Sequence, residues 1–126
     1  MPRQSIVFLP VPDLTFARTF FGEWLGLPLA LDQGTCLIFR THTGAYWGFC
    51  QCDTPVPENL AEKIMLTLVE DDVEGWYEHL LRVGVKTDGP PRENPRYQIH
   101  HFFAEAPGGY RLEVQRFLDP AWDPTA

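Results

Sequence analysis

The chain of 126 residues sets 10 Lys and Arg against 17 Asp and Glu, for a formal net charge of −7 and a pI near 4.9. That balance excludes a nucleic-acid surface, because neutralising phosphates requires a basic face. No apolar run reaches the ~20 residues that cross a bilayer, and no targeting segment precedes the first strand pattern, so the chain is read as cytoplasmic, with no nucleic-acid and no membrane partner. The length suits a single domain, 1–126, large enough to bury a real core.

In chain order, Ile6–Val11 predicts a strand. Asp13 then offers an N-cap carboxylate to a helix carrying Leu14, Ala17, Phe20, Phe21, Trp24 and Leu25 on one face, stopped by Gly26. Three short strands follow at Leu27–Leu31, Cys36–Arg40 and Tyr46–Cys52, divided by turns at Asp32–Gly34 and Thr41–Gly44. Residues 53–61 form a Pro-rich linker.

The pattern then repeats. Ile64–Val69 is a strand, Asp72 caps a helix bearing Val73, Trp76, Tyr77, Leu80 and Leu81, and Gly84 ends it. Gly75 costs that helix about 1 kcal/mol relative to Ala. Val85–Asp88, Tyr97–Glu105 and Tyr110–Phe117 complete three further strands, with turns at Gly89–Pro91 and Ala106–Gly109. The chain is therefore α+β, with two βαβββ modules at 4–52 and 62–118 and a loosely ordered tail at 119–126.

Cys36, Cys50 and Cys52 are odd in number and read as reduced thiols rather than a disulfide framework. Cys50 and Cys52 would share one strand face, without the second ligand pair that a zinc site needs.

Strand alternation sorts the remaining candidates, since successive side chains point to opposite faces. Leu66, Leu68, Phe102, Ala104, Leu112 and Val114 form an apolar set that packs under helices. Met65, Thr67, His101, Phe103, Glu105, Arg111, Glu113 and Gln115 share the opposite, mixed parity, as do Ile6, Phe8, Tyr46, Gly48 and Cys50 in the first module. This mixed face is the candidate ligand wall. Phe8, Tyr46 and Phe103 are either an aromatic surface for a planar or cationic ligand or ordinary packing. Glu113 is either a general base or counter-ion, or a structural carboxylate paired with Arg111, another strand residue or water. A His101–Glu113 pair fits the hairpin and would handle a proton near neutral pH; alternatively His101 is a hydrogen-bonded wall residue. His100 faces the other way, and His42 and His79 read as solvated. Trp24 and Trp76 read as core. No nucleophilic-serine, zinc-protease or phosphate-loop motif is present.

Val11-Pro12-Asp13-Leu14, Glu70-Asp71-Asp72-Val73 and Ala106-Pro107-Gly108-Gly109-Tyr110-Arg111-Leu112-Glu113 occur in the order and spacing of the vicinal oxygen chelate superfamily. The chain resembles that superfamily over roughly residues 4–118. The resemblance implies that each module's sheet curls into an open cup and that short members pair as homodimers. Where members hold a divalent metal, the corresponding positions here are Ile6, Gly48, Met65 and Glu113, of which only Glu113 suits such an ion. The expectation is therefore no metal and no cofactor. The leading reading is a metal-independent small-molecule binding protein similar to the bleomycin resistance type, for a cationic or aromatic ligand met by Phe8, Tyr46, Cys50, Met65, Thr67, Phe103 and Glu105. The competing reading is a glyoxalase-like lyase or isomerase using Glu113 and His101 as catalytic residues.

Overall fold

The computed structural model describes residues 1–122. The expected tail therefore lies outside the described residues at 123–126; within it, Trp122 stacks on Phe117 with ring centroids 3.9 Å apart. The described residues form two compact units, one of residues 1–62 with 106–109, the other of residues 63–105 with 110–122.

The first unit holds strands β1 (Ser5–Val11), β2 (Leu29–Asp32), β3 (Cys36–His42) and β4 (Ala45–Gln51). They are ordered β1-β4-β3-β2, with β1 parallel to β4 and the other pairs antiparallel. The second unit repeats this plan with β5 (Met65–Val69), β6 (Arg92–Asn94), β7 (Ile99–Glu105) and β8 (Arg111–Phe117), ordered β5-β8-β7-β6. Each sheet is open, because its two outer strands pair on one side only.

Both expected helix starts are present. The Asp13 carboxylate accepts from the Thr15 and Phe16 amides at the head of helix α1 (Leu14–Ala17). Asp72 likewise accepts from the Gly75 amide at the head of α3 (Val73–Arg82). A Cβ on Gly75 would run into that Asp72 carboxylate, so the glycine that weakens the helix is also what lets its cap close. Gly26 and Gly84 terminate the two helical stretches at φ 72° and 88°, a conformation glycine adopts without strain.

The first helix departs from its expected form after one turn. Arg18–Trp24 is a π-helical segment, in which the Leu25 amide bonds the Phe20 carbonyl at 2.9 Å. The wider winding lets the consecutive residues Phe20 and Phe21 both bury completely. Phe21 stacks on Phe49 at 4.0 Å and meets Trp47 edge-on at 6.1 Å, which makes the far side of β4 the core of this unit. Trp24 is half-buried rather than core, packed among Phe16 and Phe20.

In the second unit, Tyr77 of α3 sits edge-on to Phe102 at 5.4 Å over Leu112 and Val114, as the alternation predicts. Trp76 and His79 stand half-buried against each other, so neither the core reading of Trp76 nor the solvated reading of His79 holds; His42 is exposed. The strand expected at Val85–Asp88 is reduced to a bridge between Thr87 and Ala104. Gly89-Pro90-Pro91 interrupts it, since proline donates no ladder hydrogen bond, and pairing with β7 resumes at Arg92. The Pro-rich linker contains a short helix, α2 (Glu58–Ala61), opened by Pro57. Ala61 is fully buried and lies beside Gly109, which places the 106–109 turn with the first unit.

Candidate functional site

On the second sheet, Thr67 of β5, Glu113 of β8 and Phe103 of β7 lie in one cross-strand row. His101 lies in the next row, opposite Gln115, and is therefore the diagonal neighbour of Glu113. Diagonal reach suffices: His101 Nδ1 meets Glu113 Oε2 at 2.7 Å, and the Thr67 hydroxyl donates to Glu113 Oε1 at 2.9 Å. Both side chains of the His–Glu pair are buried, at 7% and 9% exposure. Each carboxylate oxygen thus has a protein partner, and His101 meets Glu113 through its Nδ1.

Phe103 flanks this pair, edge-on to the His101 ring at 5.0 Å, and the Arg111 guanidinium covers its ring at 4.8 Å. Asp88, which the sequence reading passed over, fixes the backbone here by accepting from the Phe103 amide at 3.0 Å. Burial opposes ionisation of Asp88. The Arg92 guanidinium and the Phe103 amide outweigh it and hold the carboxyl below its usual range. Met65 and Glu105 occupy the row beyond, both exposed, with Glu105 4.0 Å from Lys86 and no hydrogen bond to the His–Glu pair. His100 points to the opposite face, where its ring bonds Glu74 of α3 and so lowers the pKa of that carboxyl.

The first sheet carries Ile6 and Phe8 on β1, Tyr46, Gly48 and Cys50 on β4, and Ile38 and Cys36 on β3. Phe8 pairs with Gly48, and its ring lies where a Cβ on Gly48 would have to be. The Tyr46 hydroxyl accepts from the Gln4 side chain at 3.3 Å. Cys36 and Cys50 are directly opposed, with Cα atoms 4.0 Å apart, and are joined as a disulfide. This corrects the expectation of reduced thiols at those two positions. The antiparallel register of β3 and β4 creates the pairing, and residue spacing alone does not reveal it. Cys50 therefore presents a disulfide sulfur to the candidate wall, while Cys52 is a free thiol contacting the Thr54 carbonyl at 3.2 Å.

Substituting Gly48 with Ala is expected to displace the Phe8 ring and cost about 1 kcal/mol, a modest overpacking penalty because the ring is half-exposed and can swing aside. Chemical denaturation of Gly48→Ala, Phe8→Ala and the double variant checks this. The penalty should disappear in the Phe8→Ala background, and a purely additive double variant would contradict it.

Two open sheets of identical strand order, each following strand–helix–three-strand connectivity, define a paired βαβββ protein. The sequence model of the Glyoxalase/Bleomycin resistance protein/Dioxygenase superfamily matches residues 3–114, and the chain belongs to that superfamily. A glyoxalase/bleomycin resistance protein/dioxygenase from Nocardioides superposes with a TM-score of 0.78 at 16% identity, covering 98% of this chain and 88% of that one. A possible glyoxalase from Bacillus cereus gives 0.71 at 22% identity, covering 88% and 96%. A lactoylglutathione lyase from Agrobacterium tumefaciens gives 0.68 at 15% identity, covering 88% and 90%. At these identities the likeness is one of fold. No curated protein sequence matches the chain.

The metal that some members of the superfamily hold does not fit the residues present. Ile6 and Gly48 offer no donor, the Phe8 ring fills the space beside Gly48, and the Met65 thioether suits soft ions. Glu113 is bonded through both oxygens to Thr67 and His101. Among the described residues, no three His, Cys, Asp or Glu side chains come together as a donor set.

Proposed function

We propose that this chain is a metal-independent small-molecule binding protein whose ligand is aromatic or cationic. The observation that carries the reading is the Phe8 ring over Gly48, which makes an aromatic surface of a strand position where the resemblance implies a metal ligand. Phe8 and Tyr46 on the first sheet are flat apolar partners for a ring. On the second, Phe103 supplies the ring surface, Met65 an adaptable apolar contact, Thr67 a hydroxyl, and Glu105 an exposed negative charge for a cationic group. A homodimer belongs to the same reading, because edge strand β1 exposes Ile6, Val7 and Phe8.

A thermal-shift screen of tag-free protein against aromatic and cationic compounds, run with and without divalent ions, tests the reading. A ligand held by the folded state should raise the Tm equally in both conditions, with light scattering reporting a dimer. Near-stoichiometric Mn, Fe, Ni or Zn retained through gel filtration, and shifts that require it, would overturn it.

A second reading is favoured by the buried contact of 2.7 Å between His101 and Glu113. In a lyase or isomerase, Glu113 would orient the His101 ring and balance the charge it gains, while Nε2 takes a proton from carbon and returns it. The fold shared with a lactoylglutathione lyase points the same way. Under this reading Glu113→Gln abolishes turnover while ligand binding survives; unchanged turnover would exclude it.

A further inference from the structure

The Cys36–Cys50 disulfide serves neither the His101–Glu113 pair nor the packing of the helices. It joins directly opposed residues of a hairpin whose ladder pairs β3 with β4 from Cys36 and Cys50 through to His42 and Ala45. Those backbone hydrogen bonds do not depend on the sulfurs, so the strands keep their register when the bond opens. The cysteines are 14 positions apart, so the loop they close is short and the crosslink constrains the unfolded chain less than one spanning a long loop would. Access is unequal: Cys36 is buried at 5% exposure, whereas Cys50 is half-buried and can be reached from solvent. A soluble thiol therefore has one sulfur to attack and a buried sulfur to release.

We propose that Cys36 and Cys50 form a reversible thiol–disulfide couple, with glutathione-class thiols as its reductant and glutathione disulfide as its oxidant, that sets the state of the face carrying Phe8 and Gly48. In reduction, a glutathione thiolate attacks Cys50 Sγ and forms a mixed disulfide, and the Cys36–Cys50 bond breaks with Cys36 leaving as a thiolate. A second glutathione thiolate attacks the glutathione sulfur of that mixed disulfide, releasing Cys50 as a thiolate and glutathione disulfide. Both protein thiolates then take up protons. The protein gains two electrons and two protons, two glutathione molecules are oxidised, and the reverse sequence restores the bond.

The bond lies one same-face row from Phe8, Gly48 and Ile38, so opening it removes a crosslink between the strands that carry Gly48 and Ile38. The link to ligand binding rests on the proposed reading of this face as a ligand wall. The couple itself does not.

The test equilibrates the folded, tag-free chain in glutathione buffers from strongly oxidising to strongly reducing, then quenches with acid, alkylates and counts thiols by intact mass. The chain has three cysteines, so one alkylated thiol is expected at the oxidising end and three at the reducing end, with full return when the buffer is reversed. Cys52→Ser should shift those counts to none and two, and Cys36→Ser, which lacks the thiol that displaces glutathione from Cys50, should show two thiols at the reducing end and a retained glutathione adduct at the oxidising end. Three thiols in every buffer, or one thiol that persists in the folded protein under full reduction, would overturn the couple. Amide spectra of the two end states should differ at Phe8 and Gly48; identical spectra there would overturn its effect on the face. Neither readout uses a ligand, so a failed ligand screen leaves this result standing on its own.

Discussion

Replacing Glu113 with Ala lowers the free energy of unfolding by about 3 kcal/mol, because it strands two partners inside the second sheet's face. The Thr67 hydroxyl loses its acceptor and the His101 ring loses the carboxylate that holds it, at a site where both acid and imidazole are nine-tenths buried. Glu113→Gln keeps the shape and one oxygen, and its cost is about 1 kcal/mol. Urea denaturation of the three proteins checks the order. Equal midpoints for Glu113→Ala and the parent chain would mean that the pair is neither buried nor bonded. The same two variants divide the functional readings: a binding protein keeps its ligand with Gln at this position and loses fold stability with Ala, whereas an enzyme loses turnover with both.

Phe21→Ala is the second large effect, at about 4 kcal/mol and a Tm lower by roughly 15 °C. Phe21 is wholly buried, stacked on Phe49 and in ring contact with Phe20, Phe39 and Trp47, so no neighbour is free to fill the space it leaves. Phe16→Ala, one turn earlier and 43% exposed, should cost about 1 kcal/mol by the same thermal and denaturant measurements. A Phe21 variant no worse than the Phe16 variant would contradict the placement of this core.

The contrast between Phe20 and Phe21 shows where sequence patterning ends. Three-and-four spacing marks both as helix-face residues, yet an α-helix sets neighbours about 100° apart and cannot aim both at one sheet equally well. With the π-helical winding both rings are buried, Phe21 against Phe39, Trp47 and Phe49 of the sheet and Phe20 against Phe16, Phe21 and Trp24. Packing against a partner surface is a property of the assembled fold, and no window of residues contains it.

Whatever depends on near neighbours along the chain is legible in the residues alone. The caps at Asp13 and Asp72, the stops at Gly26 and Gly84, the repeated βαβββ order and the two faces of each strand all follow from backbone geometry over a few residues. Alternation correctly put His101 and Glu113 on one face and His100 on the other, since a period of two needs no tertiary information. How far strands slide past one another is set when the sheets assemble. Register made His101 the diagonal neighbour of Glu113, placed Thr67 beside it, set Phe8 over Gly48 and brought Cys36 opposite Cys50. It also decided that Arg92–Asn94, with little strand propensity of its own, completes the second sheet beyond Gly89-Pro90-Pro91. Side-chain direction is local, but register is settled by the whole set of contacts a strand makes when it docks, and for this protein the candidate chemistry lies in those contacts.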